Sequence, residues 1–324
     1  MLLLQQMVIM FILMIVGFVL KKRGIITPAG EKTLSGVVVN SANPAMVLSA
    51  SINKESTIQG SELLRTFGLI VIVYIILIIL AFILTRILRV PAGERGSYQN
   101  MTVFSNIGFM GFPLVSAMFG SEAMLYASLF VIPYNILIYT YAYVMMDKDT
   151  EAKCRAVGKD EEPGHGKAGS RPDTLTMIKK IFNIGVIASI LTIIIYLTRI
   201  LMPKFVETTV NHLSNLTAPL SMIVIGASLT NIKIREMFTD KRLILFTAIK
   251  LLVIPVVGVF LIRLTGADEL FVGVCLIMLG TPVGSMTAML AGQRDCNYEL
   301  AAKGVALTTL LSVITLPILS LIIL

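Results

Sequence analysis

The chain has 324 residues, of which 56% are apolar and only 14% charged, with a formal net charge of +8. A soluble domain of this length cannot hide that much apolar surface, whereas a bilayer core about 30 Å thick asks for roughly 20 apolar residues per helical crossing. Composition therefore excludes a soluble enzyme, and the scatter of basic residues through many short connections excludes a nucleic-acid surface.

The first predicted helix covers 2–20. It is not read as a cleaved signal peptide, because no basic stretch precedes it, KKR follows it at 21–23, and no small-residue cleavage site closes it. The second span, 34–52, is polar and carries NSANPAMVLSAS from Asn40 to Ser51. Asn40 and Asn43 are three apart and share a helix face, equally suited to gluing helices together and to lining a solute path. The third span, 64–88, holds 20 residues without a charge between Arg65 and Arg86.

The fourth span, 98–119, contains FSNIGFMGFP from Phe104 to Pro113. Pro113 lacks an N–H and crowds the preceding turn, while Gly108 and Gly111 permit unusual backbone angles, so a break is expected. Hydrocarbon does not tolerate the freed backbone groups, which must face protein or a wet cavity. Ser105 and Asn106 stand beside this break. The fifth span, 121–146, offers Tyr134 and Asn135 in VIPYN.

Asp147 to Lys180 mixes both charge signs with Gly and Pro, lacks apolar periodicity, and reads as a flexible cytoplasmic loop. Spans then follow at 178–201, 209–230, 241–264, 270–291 and 299–323. Lys250 is the clear intramembrane charge, and its distance from Arg242 predicts snorkelling toward the cytoplasmic interface. The ninth span carries LGTPVGSM from Leu279 to Met286, placing Thr281, Pro282, Gly284 and Ser285 where the fourth span has its break.

The two halves repeat. Pro44 of NSANPAMVLSAS and Pro219 of NLTAPLSMIVIGAS are 175 residues apart, while SAMFG at Ser116 and TAMLAG at Thr287 are 171 apart. Five spans per copy force the second copy to insert upside down, an architecture many secondary carriers share. The expected fold is an all-α membrane protein of ten transmembrane helices, arranged as two inverted five-helix repeats with two broken crossover helices. Residues 1–146 form the first repeat, 147–177 the cytoplasmic loop and 178–324 the second repeat.

Of the 27 Lys and Arg, 21 fall in odd-numbered connections and five in even-numbered ones. This asymmetry puts both termini outside the cell's inner (plasma) membrane and residues 150–175 in the cytoplasm. His165 and His212 lack metal-ligand spacing, the three cysteines lack a pairing pattern, and neither HExxH nor a P-loop is present. The sequence thus calls for no metal, no cofactor and no enzymatic activity.

NSANPAMVLSAS, SNIGFMGFPLVSAMFG, and TPVGSMTAML followed by TLLSVITLPIL together resemble the auxin efflux carrier family. That family includes plant PIN-type exporters and bacterial permeases assigned to malate or malonate, within the bile/arsenite/riboflavin transporter superfamily. The resemblance covers nearly the whole chain and implies a scaffold subdomain plus a transport subdomain with two crossing broken helices. Family members place a proline before the Asn of the first crossing; here Asn106 follows Ser105. The proline of the second crossing corresponds to Pro282. The short central loop is bacterial in style, which makes auxin itself a poor expectation.

The function this implies is alternating-access transport of a small organic anion, a carboxylate above all. Its expected contacts are Asn106, Asn43, Ser105, Asn135, Thr281 and Ser285, with the breaks made by Gly108, Gly111, Pro113, Pro282 and Gly284. The expected partners are that anion and the lipid bilayer, with a homodimer as a candidate assembly and no nucleic acid. A sodium-coupled symporter of the bile-acid type, a non-transporting sensor of the same fold and a channel stay open as alternatives.

Overall fold

A computed structural model describes residues 2–52, 60–156, 178, 181–230, 238–293 and 297–323. Among the described residues, five helices are long and apolar enough to cross a membrane: Gly60–Ile87, Glu122–Arg155, Lys204–Leu229, Lys241–Arg263 and Tyr298–Ile323. Three shorter apolar helices accompany them: Ile107–Gly120, Ile184–Thr198 and Glu269–Gly280. Among the described residues no β-strand forms, as expected of a chain whose backbone polar groups must be satisfied within each crossing segment.

Helix α1 (Leu2–Lys22) and the helix Gly60–Ile87 are apolar nearly all round. They leave Ile9, Ile12, Ile72, Ile75 and Ile79 exposed, where lipid replaces a protein core. By contrast Glu269–Gly280 is the central helix, with every residue from Phe271 to Gly280 buried.

Proline writes a recurring local structure. The π turns Val38–Ala42, Ile107–Gly111 and Ile249–Val253 each sit just before a helix with a proline in its first turn, namely Pro44, Pro113 and Pro255. Each proline withholds the N–H that would bond four residues back, and the turn ahead of it widens to hydrogen bonds that span five residues. At Gly120 the chain takes φ 78° and ψ −171°, a conformation suited to glycine, and this kink divides Phe112–Leu129 into the end of one helix and the start of the next.

Helix α1 packs closely on Thr217–Leu229. A Cβ on Gly17 would overlap the Ile223 carbonyl, and one on Gly226 would overlap the Met14 carbonyl, so these glycines bring the two backbones into contact. Other pairings recur with the halves exchanged. Ile184–Thr198 packs on Asn43–Ser49 as Leu2–Lys22 packs on Thr217–Leu229. Gly60–Ile87 packs on Arg95–Val103 as Ile254–Arg263 packs on Glu269–Gly280. Tyr141–Ala156 packs on Arg95–Val103 as Tyr298–Ile323 packs on Glu269–Gly280.

The hydrophilic stretch begins later than its composition predicts. Residues 147–156 were expected in a flexible loop, yet the helix Tyr141–Ala156 continues through them. Asp149, 1% exposed, explains the extension. Its carboxylate accepts hydrogen bonds from the Gly96 amide (2.7 Å), the Ser97 amide (2.8 Å) and the Ser97 hydroxyl (3.0 Å). These donors open the helix Arg95–Val103, whose N-terminal partial charge favours an anion, so the carboxylate pins the extra turns. Residues 157–177, with His165, lie outside the described residues.

Candidate functional site

The helix Arg95–Val103 stops at Phe104, whose φ −99° and ψ 95° are extended, and Asn106 at φ −80° and ψ 62° starts the π turn Ile107–Gly111. The helix Glu269–Gly280 stops at Thr281, with φ −62° and ψ 150°, and restarts at Ser285. The two interruptions meet. The Asn106 amide donates to the Pro282 carbonyl at 2.7 Å, the Gly284 amide donates to the Phe104 carbonyl at 2.9 Å, and Ser105 and Val283 form an antiparallel bridge. Each break thereby satisfies backbone groups that the other has freed.

Gly284 lets the two breaks approach closely. A Cβ there would stand 3.1 Å from the Ser105 carbonyl oxygen, 3.2 Å from the Tyr134 hydroxyl and 3.3 Å from the Phe104 carbonyl oxygen. Thr308, fully buried on the last helix, braces the second break by accepting from the Val283 amide at 3.1 Å.

A cavity of about 940 Å³ opens beside the junction. Asn43, Asn106, Asn135 and Ser285 line it, with Gly108 and Gly284 on the wall. The other expected residues stand back from it. Ser105, Thr281, Gly111, Pro113 and Pro282 do not line the cavity; Thr281 has no exposure, and its hydroxyl donates to the Met278 carbonyl at 3.0 Å. The wall is otherwise mainly apolar, with Val39, Val47, Phe109, Phe112, Ile138 and Met286 among its members, and the charged Glu31, Lys32, Glu299 and Lys303 also belong to it.

The polar groups on the wall differ in what they have free. Asn106 caps the π turn, its side-chain oxygen accepting from the Phe109 amide at 3.2 Å, which leaves the amide nitrogen for another partner. Asn43 is 9% exposed and its side-chain oxygen lacks a hydrogen-bond partner. Asn135 is committed: its nitrogen donates to the Val131 carbonyl at 2.8 Å, and its oxygen accepts from Asn183. Among the described residues the Gly108, Ser285 and Met286 amides, all in cavity-lining residues, have no protein acceptor. They belong to the first turns after the two breaks, where N–H groups lack intrahelical partners and carry a partial positive charge.

Sequence reasoning missed two residues here and misplaced a third. Asn183 holds Asn135 and also caps the helix Ile184–Thr198, accepting from the Gly185 and Val186 amides; an Asn directly before an apolar run was the signal available. Thr308 left no signal, since one buried Thr among many resembles ordinary helix packing. Lys250 does not snorkel. It is fully buried, and its ammonium donates to the Ser105 hydroxyl at 2.7 Å and the Thr102 carbonyl at 3.2 Å. The interrupted helix offers it unpaired carbonyls close at hand, a partner that a hydropathy pattern cannot display.

Comparison with known proteins identifies the family. The family model described as "Membrane transport protein" matches residues 2–320. An uncharacterized transporter of Methanothermobacter thermautotrophicus is 23% identical over 313 residues, covering 95% of this chain and 94% of that protein. An uncharacterized transporter of Methanocaldococcus jannaschii is 24% identical over 315 residues, with 95% and 94% covered. The chain belongs to the membrane transport protein family, the auxin efflux carrier or PIN-like family, and is a membrane-embedded transporter.

Proposed function

We propose that this transporter is a secondary carrier of small organic anions, carboxylates above all, working by alternating access. The observation that carries this reading is the meeting of two helix breaks, at Phe104–Asn106 and Pro282–Gly284, beside a large cavity. Carriers built from inverted repeats bind their solutes where broken helices converge. The helix pairings that recur with the halves exchanged support two five-helix repeats, 1–146 and 178–324, ten spans in all. The antiparallel Ser105–Val283 bridge supports reading the two interrupted helices as crossing one another.

A carboxylate would be held by the Gly108, Ser285 and Met286 amides and the Asn106 amide nitrogen. Helix N-termini bind anions without a buried Arg, consistent with a wall that carries uncharged amides beside the breaks. The unpaired oxygen of Asn43 asks for a donor. A substrate bearing a hydroxyl or N–H besides its carboxylate supplies one, and the apolar wall takes its carbon skeleton. Lys32 and Lys303 belong to connections that the charge asymmetry places in the cytoplasm, so the cavity is read as open to that side, with both termini outside.

The test is uptake into proteoliposomes of labelled malate, malonate, succinate, pyruvate and indole-acetate, each with and without proton and sodium gradients. Saturable uptake of at least one carboxylate is expected. Well-folded protein that accumulates none of them, or that passes ions in sustained single-channel steps, would overturn the reading.

A further inference from the structure

Lys250 is a positive charge inside a membrane-spanning segment, with no exposed surface. Among the described residues no carboxylate pairs with it. Such a charge is costly in a membrane protein and is retained where it has work to do. Its partners identify the work. The Thr102 carbonyl belongs to the last turn of Arg95–Val103, and the Ser105 hydroxyl sits in the break itself.

The end of an α-helix leaves carbonyls unpaired and carries roughly half a negative charge. In carriers with interrupted helices, such carbonyl ends coordinate the cation that is cotransported. Here the position is filled from within, by an ammonium on the π turn Ile249–Val253 that Pro255 produces. The second break is handled differently. Both breaks bond the amide at the helix end four residues back, Phe104 to Asn100 and Thr281 to Ile277, but at the second the Met278 carbonyl accepts from the neutral Thr281 hydroxyl. The cation therefore belongs to the first break.

We infer that the Lys250 ammonium is the resident cation of the first break, seated between the Thr102 carbonyl and the Ser105 hydroxyl in the place of an exchangeable sodium ion. The inference rests on reading these helices as the interrupted pair of a carrier. It specifies the carrier further: sodium is not needed to complete the junction. A lysine side chain also ties the helix Lys241–Arg263 to the break.

Thermal stability of purified protein, followed by size-exclusion chromatography after heating, tests this without a known substrate. The probes are sodium chloride, choline chloride at equal ionic strength, and propylammonium chloride, which matches the atoms that Lys250→Ala removes. Wild-type protein is expected to melt alike in all three. Lys250→Ala is expected to melt lower in choline and to recover by about 2–4 °C, saturably, in propylammonium or sodium. Sodium-specific stabilisation of the wild type, or a folded Lys250→Ala that responds no more than wild type, overturns the inference.

Should Lys250→Ala not be purifiable, Lys250→Arg and Lys250→Met decide. Arg retaining stability where the neutral Met loses it supports a required cation, and equal behaviour of the two overturns it. Rescue of Lys250→Ala as expected, with a wild type that transports none of the carboxylates, leaves this inference standing and removes only the choice of carboxylates as the solute. The opposite pair of results removes only the cation.

Discussion

The amide of Asn106 donates to the carbonyl of Pro282 at 2.7 Å, joining two helix breaks that lie in opposite halves of the chain. The Asn106 side-chain oxygen accepts from the Phe109 amide, and among the described residues its side-chain nitrogen has no protein acceptor. One residue thus closes the junction through its main chain and, in the proposed function, offers a ligand group through its side chain.

Asn106→Leu keeps the number and branching of side-chain heavy atoms and removes that nitrogen. A hydrogen bond to a charged group is worth on the order of 1.5–3 kcal/mol, so affinity for the transported carboxylate should fall roughly 10- to 150-fold. Loss of the cap should cost about 1 kcal/mol of stability, small enough for the protein to fold. Binding to purified protein checks the first figure and a melting curve the second. Asn211→Leu, on the exposed helix Lys204–Asn215, is the control and should change neither.

Asn43 gives the opposite sign in the absence of substrate. Its buried, unpaired oxygen costs about 1–3 kcal/mol, so Asn43→Leu should leave the empty protein as stable as wild type or more so. The same change should weaken a hydroxyl-bearing carboxylate more than its analogue without the hydroxyl. Competition between malate and succinate reads this directly; equal losses for both would show that Asn43 does not meet the substrate's donor.

Gly284→Ala tests the junction itself. The new methyl would press on the carbonyls of Ser105 and Phe104 and on the Tyr134 hydroxyl, within 3.1–3.3 Å, and backbone atoms cannot swing away. Overpacking of this kind costs typically about 1–3 kcal/mol. Melting temperature should drop, and uptake should fall for every substrate alike, because the shape of the break and not one ligand contact has changed. A change confined to one substrate would speak against a shared junction.

Cys154 reports orientation. It is partly exposed on the helix Tyr141–Ala156, and Cys275 is buried. In a Cys296→Ser background, an impermeant thiol reagent should label Cys154 only after the membrane is opened, as the 21-to-five charge asymmetry requires. Labelling in intact cells would reverse the topology.

The sequence by itself determined the membrane class, the boundaries of most helices and the two places where helices fail. These are local matters. A run of apolar side chains needs a bilayer wherever it folds, and Pro113 or Pro282 withholds an N–H whatever surrounds it. What only the tertiary structure decided is how the groups freed at each break are satisfied. Four of the six expected contact residues, Asn43, Asn106, Asn135 and Ser285, reach one cavity, while Ser105 and Thr281 turn to other partners. Lys250 and Asp149, read as an interfacial charge and a loop charge, are instead buried on opposite ends of one helix, Arg95–Val103: the ammonium at its carbonyl end, the carboxylate at its amide end. Composition shows that a charge exists, but the field that holds it comes from a helix distant in sequence, and that field appears only once the chain has folded.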